Sequence, residues 1–397
     1  MSKLDDLINK LCSDGVEYKT FGEVCEFRTG WGFPESEQGL KSGDYPFYKV
    51  SDMNNSEMLM DISNNYISKE TSVRLKCKPA PKGTIIFPKI GATMATNKKR
   101  ILTKESCYDN NVMGLIAKSI NDRFLYYFFS QYKLMEFAKG TGAVPSLDTN
   151  KLKSLKIPVP PLEVQKEIVR ILDKFTSLEA ELEAELDARR RQYEYYRDSL
   201  LTFGDDVEWK RMDEVFDIQM CKRILKQHTT PDGEIPFYQN GTIGKQAKLF
   251  ITRELYEEMK AKYKLPKKGE ILLSTAGTVG RAVVYNGEEA FFQDSNVVWL
   301  SNDESLINNE FLFHYCKSMP WKIPSRGTIK HLHNYMIAET LIPILSKERQ
   351  SQISQILDRF ESLCNDITSG LPAEIEARHK QYEYYRDKLL TFKRKEG

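Results

Sequence analysis

The residues that could carry catalysis in this 397-residue chain are few and badly placed for it. Pro231-Asp232 followed by Glu258-Met259-Lys260 satisfies a loose PD…E-x-K spacing, in which two carboxylates would hold a metal ion that activates water against a phosphodiester. Glu258 falls within TRELYEEMKAKY, whose spacing predicts an exposed helix, and the first half of the chain has no counterpart. The only Pro-Pro pair, Pro160-Pro161, follows Val159 rather than the Asp or Asn of a methyltransferase motor. No G-x-x-x-x-G-K-[ST] loop is present to cradle the phosphates of ATP. His331 and His333 have no third ligand at metal-site spacing. The seven cysteines form no C-x-x-C pair, which points to reduced thiols rather than zinc.

What remains is cations and amides beside small residues. IGATMATNKKR (90–100) carries Lys98, Lys99 and Arg100, and TAGTVGR (275–281) carries Thr278 and Arg281. Glycines there suit hairpin turns that need positive φ. Small residues also let a backbone approach phosphates or base edges. A second matched loop pair, KGTGAVPSL (139–147) and RGTIKHL (326–332), brings in Lys330. Lys89 and Asn111 in the first half, and Arg223 and Asn296 in the second, complete the candidate contacts to a nucleic acid. Asn111 and Asn296 could equally cap local turns. Net charge is only +2, with a basic surplus of six over residues 15–160 and near balance over 205–345.

The elements that must position these loops come in duplicate. QYEYYRDSLLTF (192–203) returns as QYEYYRDKLLTF (381–392), and IPVPPLEVQKEIVRILDKF (157–175) as IPILSKERQSQISQILDRF (342–360). The globular stretches between them match only in short pieces. VEYKTFGEV resembles VEWKRMDEV, PFY recurs at 46–48 and 236–238, KGTIIFPKIGATM parallels KGEILLSTAGTVG, and NNVMGL parallels SNVVWL. The N-terminal helix running into GVEYK also resembles LLTFGDDVEWK between the halves, so the repeat is circular.

Apolar residues from Phe175 to Phe203 fall on one stripe at steps of three, four or seven, which predicts a continuous helix over 163–203. The second copy keeps the stripe but is interrupted at Gly370-Leu371-Pro372, where a break or kink is expected. Two such stripes most simply bury each other as an antiparallel pair. Off the stripe, Glu194, Tyr195, Arg197 and Asp198 recur as Glu383, Tyr384, Arg386 and Asp387. Packing does not require those identities, so they form a candidate partner-docking surface, present twice about a pseudo-twofold axis.

In this order of parts the chain resembles the specificity subunits of type I restriction–modification systems. I-P-x-P-x-x-x-x-Q leading into I-L-D-K-F and Q-Y-x-Y-Y-R-D-x-L-L carries the resemblance, which spans essentially the whole chain. It implies an α+β chain of five parts. These are an N-terminal helix (1–14), target-recognition domain 1 (15–160), a central helical region (161–204), target-recognition domain 2 (205–345) and a C-terminal helical region (346–397).

It implies further a non-catalytic subunit in the cytoplasm that binds double-stranded DNA at a bipartite target. Two modification (methyltransferase) subunits would bring S-adenosylmethionine, and restriction (nuclease/translocase) subunits would use ATP with Mg. This chain would hold no cofactor and touch no membrane. The tandem tetrad EAELEAEL (179–186) is the expected adjustable ruler. The alternative is a coiled-coil scaffold joining two protein-binding domains without DNA.

Overall fold

The computed structural model describes residues 3–140, 145–277, 279–293, 296–318, 321, 331–365 and 369–396. Compactness divides the chain into two units, residues 1–181 with 375–397 and residues 182–374. Both divisions fall inside helical stretches. Each unit therefore takes one globular part together with helical pieces from both copies of the repeat.

In the first unit the apolar run TIIF becomes the strand Ile85–Pro88, every residue of which is buried. A strand covered on both faces has no polar side to alternate, which is why the run is continuous. It lies between Val112–Ala117 and Arg100–Leu102 in a five-stranded sheet completed by Cys25–Thr29 and Leu59–Met60. A second sheet places Tyr45–Tyr48 between Tyr66–Ile67, antiparallel, and Cys107–Tyr108, parallel. Glu17–Thr20 and Lys156–Val159 close the base of the unit as an antiparallel pair. The turn before the buried strand needs Gly83, at φ +87°, where an added Cβ would run into the Asp122 carboxylate.

The aromatic helix Asp122–Ser130 starts at Asn121, whose side chain accepts the Phe124 amide at 3.0 Å. Phe124, Leu125, Tyr127, Phe128 and Phe129 enter one core with Val164, Ile168 and Leu172 of the central helix Leu162–Leu200. The spacing of four sets those three residues on one face, and burial contributes ~1.5–3 kcal/mol for each large apolar side chain.

The second unit repeats this plan. Asp217–Met220, Val297–Ser301, Ile271–Ser274 and Ala282–Val284 form a four-stranded antiparallel sheet. Ile235–Tyr238 again sits between an antiparallel partner, Leu249–Ile251, and a parallel one, Phe291–Phe292. Glu208–Arg211 pairs with Leu341–Ile344, and the aromatic helix is Asn309–Lys317. Gly269, at φ +91°, takes the place of Gly83.

The C-terminal helical region is two helices, Lys347–Asn365 and Leu371–Leu389, with Pro372 in the first turn of the second. Proline is tolerated there because its missing N–H would be unpaired anyway. The helical blocks pair in exchange. In the first unit Phe175 stacks on Tyr385 at 5.5 Å between centroids, and in the second Phe360 stacks on Tyr196 at 5.3 Å. Phe175 and Phe360 are equivalent in the repeat, as are Tyr196 and Tyr385, so each pair joins one copy to the other.

The circular character of the repeat is also visible. Val16 donates to the Lys393 carbonyl and accepts from Lys395, both at 2.9 Å. Gly15 makes that approach possible, since an added Cβ would stand 2.8 Å from the Arg394 carbonyl carbon.

Candidate nucleic-acid interface

The matched loops meet in each unit through backbone hydrogen bonds that need no particular side chain. In the first, Lys89 N–H donates to Asn111 at 2.9 Å, Leu147 donates to Lys89 at 2.9 Å, and Gly91 donates to Pro145 at 2.7 Å. In the second, Thr275 donates to Asn296 at 3.0 Å and Leu332 donates to Thr275 at 2.8 Å, while Ala276 bridges His331. Carbonyl and amide requirements thus fix the loops, which leaves their side chains free to differ.

Those side chains divide sharply. Lys99 is only 4% exposed; its amine donates to Asn97 Oδ1 at 2.9 Å and the Tyr132 carbonyl at 2.8 Å, above the Phe129 ring. Burial pushes it down to about 7, against the pull of Glu136. A lysine committed in this way is an interior strut, which corrects its reading as a polyanion contact. Arg100 is similarly occupied, its guanidinium donating to the carbonyls of Ser56 at 2.7 Å, Lys99 at 2.9 Å and Met53 at 3.1 Å.

The other candidates lie nearer the surface. Lys89 is half-buried on Thr29 Oγ1, and burial lowers its pKa. Lys98 meets Asn54 Oδ1. Asn111 is exposed, and its backbone N–H is capped by Asp109 Oδ1 at 2.9 Å. Arg281 reaches the Ile243 carbonyl at 3.3 Å. Thr278 and Lys330 lie outside the described residues.

Arg223 and Asn296 come together in one cleft of about 660 Å³, in company the sequence did not single out: Lys226, Thr229, Gln239 and Gln293. The available signal was positional. Gln239 directly follows the repeated PFY, where the first unit has Lys49.

The structure also reveals a latch between each globular part and the helices. Gln165 accepts the Asn121 amide at 2.8 Å and donates to the Pro160 carbonyl at 2.7 Å. Gln350 accepts the Asn308 amide at 2.7 Å and donates to Leu306 and Leu345, both at 2.8 Å. Beside them, Tyr127 donates to Asp173 at 2.6 Å in the first unit, and His314 Nε2 lies 2.8 Å from Asp358 in the second. The Gln stood in the sequence motif, but nothing there gave its partner.

The candidate docking quartet splits in the same way in both copies. Tyr195 and Tyr384 point outward, 70% and 62% exposed. Glu194 and Glu383 are exposed with them. Arg197 makes a two-pronged pair with Asp198 over the Tyr193 ring, and Arg386 does so with Asp387 over Tyr382. Glu258, on the helix Arg253–Lys262, is exposed and paired with Lys262 at 2.6 Å.

Two stretches of the chain, residues 13–188 and 204–377, match the model of the type I restriction modification DNA specificity domain. The "Putative type I restriction enzyme specificity subunit" of Haemophilus influenzae is 38% identical over 387 residues, covering 95% of this chain and 96% of its own length. The EcoR124I/EcoR124II specificity subunit of Escherichia coli is 31% identical over 317 residues, 73% of this chain and 74% of its own.

Among solved structures, the S subunit of M. genitalium superposes with a TM-score of 0.54 at 15% identity, covering 95% of this chain and 96% of that one. A chain from a type I R-M system solved for its complex assembly and conformational transition gives 0.60 at 17% identity, covering 95% and 97%. These two likenesses speak for the fold. The duplicated domain match and the curated relatives go further: the chain belongs to the type I restriction modification DNA specificity family.

Proposed function

We propose that this chain reads a bipartite duplex DNA target, one half-site per globular unit. Residues 15–160 and 205–345 are the two reading domains. The helical regions 161–204 and 346–397 set the unread gap, and residues 1–14 complete the circle. The observation that carries this is the contrast within the repeat. Backbone bonds and latches recur in both units, while loop side chains at equivalent positions differ. A pair of readers held alike but aimed at different sequences needs that division.

The subunits of this family are non-catalytic and work within a restriction–modification complex, which sets aside the scaffold alternative. Beyond that, two methyltransferase subunits using S-adenosylmethionine dock on the duplicated Tyr195 and Tyr384 surfaces, and restriction subunits bring ATP and Mg. The complex acts in the cytoplasm. Of the basic candidates, Lys89, Lys98, Arg223 and Arg281 remain as phosphate or base contacts, and so do Thr278 and Lys330. Asn111 and Asn296 remain as amide contacts.

The test is to co-express the chain with its modification subunit and map methylated adenines genome-wide, with the modification subunit alone as control. A two-part motif with a fixed gap, present only with this chain, supports the reading. Methylation independent of the chain overturns it. Inserting a third tetrad into EAELEAEL adds ~6 Å of helix. The gap should lengthen with both half-sites unchanged, and an unaltered gap would sink the ruler.

A further inference from the structure

We infer that the cleft in the second unit reads A·T pairs at their adenines through the side-chain amides of Gln239, Gln293 and Asn296, an inference that rests on the DNA-reading function above. The three amides line one concavity of about 660 Å³. All three residues are half-buried. Gln239, Gln293 and Asn296 use their backbones within the fold: Gln239 accepts Thr242 N–H at 2.9 Å, Gln293 donates to Tyr238 at 2.8 Å, and Asn296 accepts from Thr275 at 3.0 Å. Among the described residues their side-chain amides have no hydrogen-bond partner, so three planar donor–acceptor groups are directed to something outside the fold.

The chemistry of that ligand follows from the amide itself. One carboxamide offers a donor and an acceptor side by side in a plane. In the major groove adenine presents N7 as an acceptor and N6–H as a donor, the complement of that pair. Guanine presents two acceptors, which suit the paired donors of arginine and leave an amide oxygen facing another oxygen.

Cations stand with the amides, since Arg223 and Lys226 line the same cleft and no carboxylate does so among the described residues. Phosphate contacts of that kind fix register, and the amides carry the sequence information. At the equivalent positions the first unit has Lys49, Asp109 and Asn111, and Asp109 is only 7% exposed. The three-amide arrangement belongs to the second unit alone.

The test uses the full chain with its modification subunit and the methylated motif as readout, for Gln293→Ala, Asn296→Ala and the nearly isosteric Asn296→Asp. Each alanine variant should make one A·T position degenerate, always in the same half-site, with discrimination there falling roughly 10- to 100-fold. Asn296→Asp should move the preference at its position towards cytosine, whose N4–H an acid accepts. Lys226→Ala should reduce the extent of methylation and leave the motif unchanged.

Where a variant methylates too little to map, the purified chain is titrated with duplexes altered one base pair at a time. Lost preference at an A·T pair there supports the inference, and retained preference overturns it. Wild-type motifs from all three variants, or relaxation only at G·C positions, overturn the amide reading while leaving the bipartite function standing. A wild-type chain that binds no duplex selectively removes both.

Discussion

At the foot of each globular unit, where it meets the helices, the two halves of the molecule are nearly the same object. Asn121 and Asn308 present an amide to Gln165 and Gln350 at 2.8 and 2.7 Å, and an acid about two turns along each helix holds a side chain of the aromatic helix. At the loop end they are different objects. Lys49 corresponds to Gln239 and Lys89 to Thr275, and Asp109 corresponds to Gln293, since each of these last two donates its N–H to the tyrosine carbonyl of PFY. The same duplication was under two regimes. A buried polar group must find its one partner or lose stability, so the foot could not drift. Loops fixed by backbone bonds tolerate any side chain that clears its neighbours, so the reading end could.

The comparison breaks most visibly at the latch. Gln350→Ala strips partners from three backbone groups, of which that of Leu345 is buried, and should lower the stability of the second unit by ~1–3 kcal/mol, with Gln165→Ala stripping two groups in the first. Urea unfolding of the full chain measures it, and losses below ~1 kcal/mol in both would end the claim that the foot is constrained by these bonds.

Next come the outward tyrosines. Replacing Tyr195 and Tyr384 together with Ala should weaken modification-subunit association by ~2 kcal/mol or more per site. The melting temperature should stay unchanged, because neither ring is buried. Calorimetric titration with the purified partner reads the first quantity.

A smaller asymmetry sits within the latches. His314 is fully buried, and burial lowers its pKa from the ordinary 6.5, outweighing the raising effects of Asp358 and Glu361; Lys317 also lowers it. Below pH 6.5 the unfolded chain therefore binds more protons than the folded one, and the second unit loses stability as pH falls until the folded value is passed. The first unit has Tyr127 there, which stays neutral across that range, since burial and Asp173 move its phenol upward. Unfolding at pH 7 and pH 5 should show a selective loss in the second unit, abolished by His314→Phe. Equal losses in both units would remove the asymmetry.

The smallest expected effect is a null one. Lys99→Met should leave DNA affinity and its salt dependence unchanged. Arg223→Ala should flatten the slope of log K against log salt by about one if it holds a phosphate.

The sequence by itself determined the duplication, its circular order, the central helix, the break at Gly370–Pro372 and the family. These are properties of pattern: helical spacing, a proline that only a first turn tolerates, and near-identical blocks set far apart. It did not determine which cations face outward. Lys98, Lys99 and Arg100 are adjacent and chemically alike, yet Lys98 meets a surface asparagine, Lys99 is enclosed over an aromatic ring and Arg100 is tied to three carbonyls. Direction of that kind depends on what packs against the turn from Asn54, Tyr132 and Phe129, residues as much as 44 positions away. Only tertiary structure brings such groups together, and so only it could gather Gln239, Gln293 and Asn296 into one cleft or give Gln165 its partner across 44 residues.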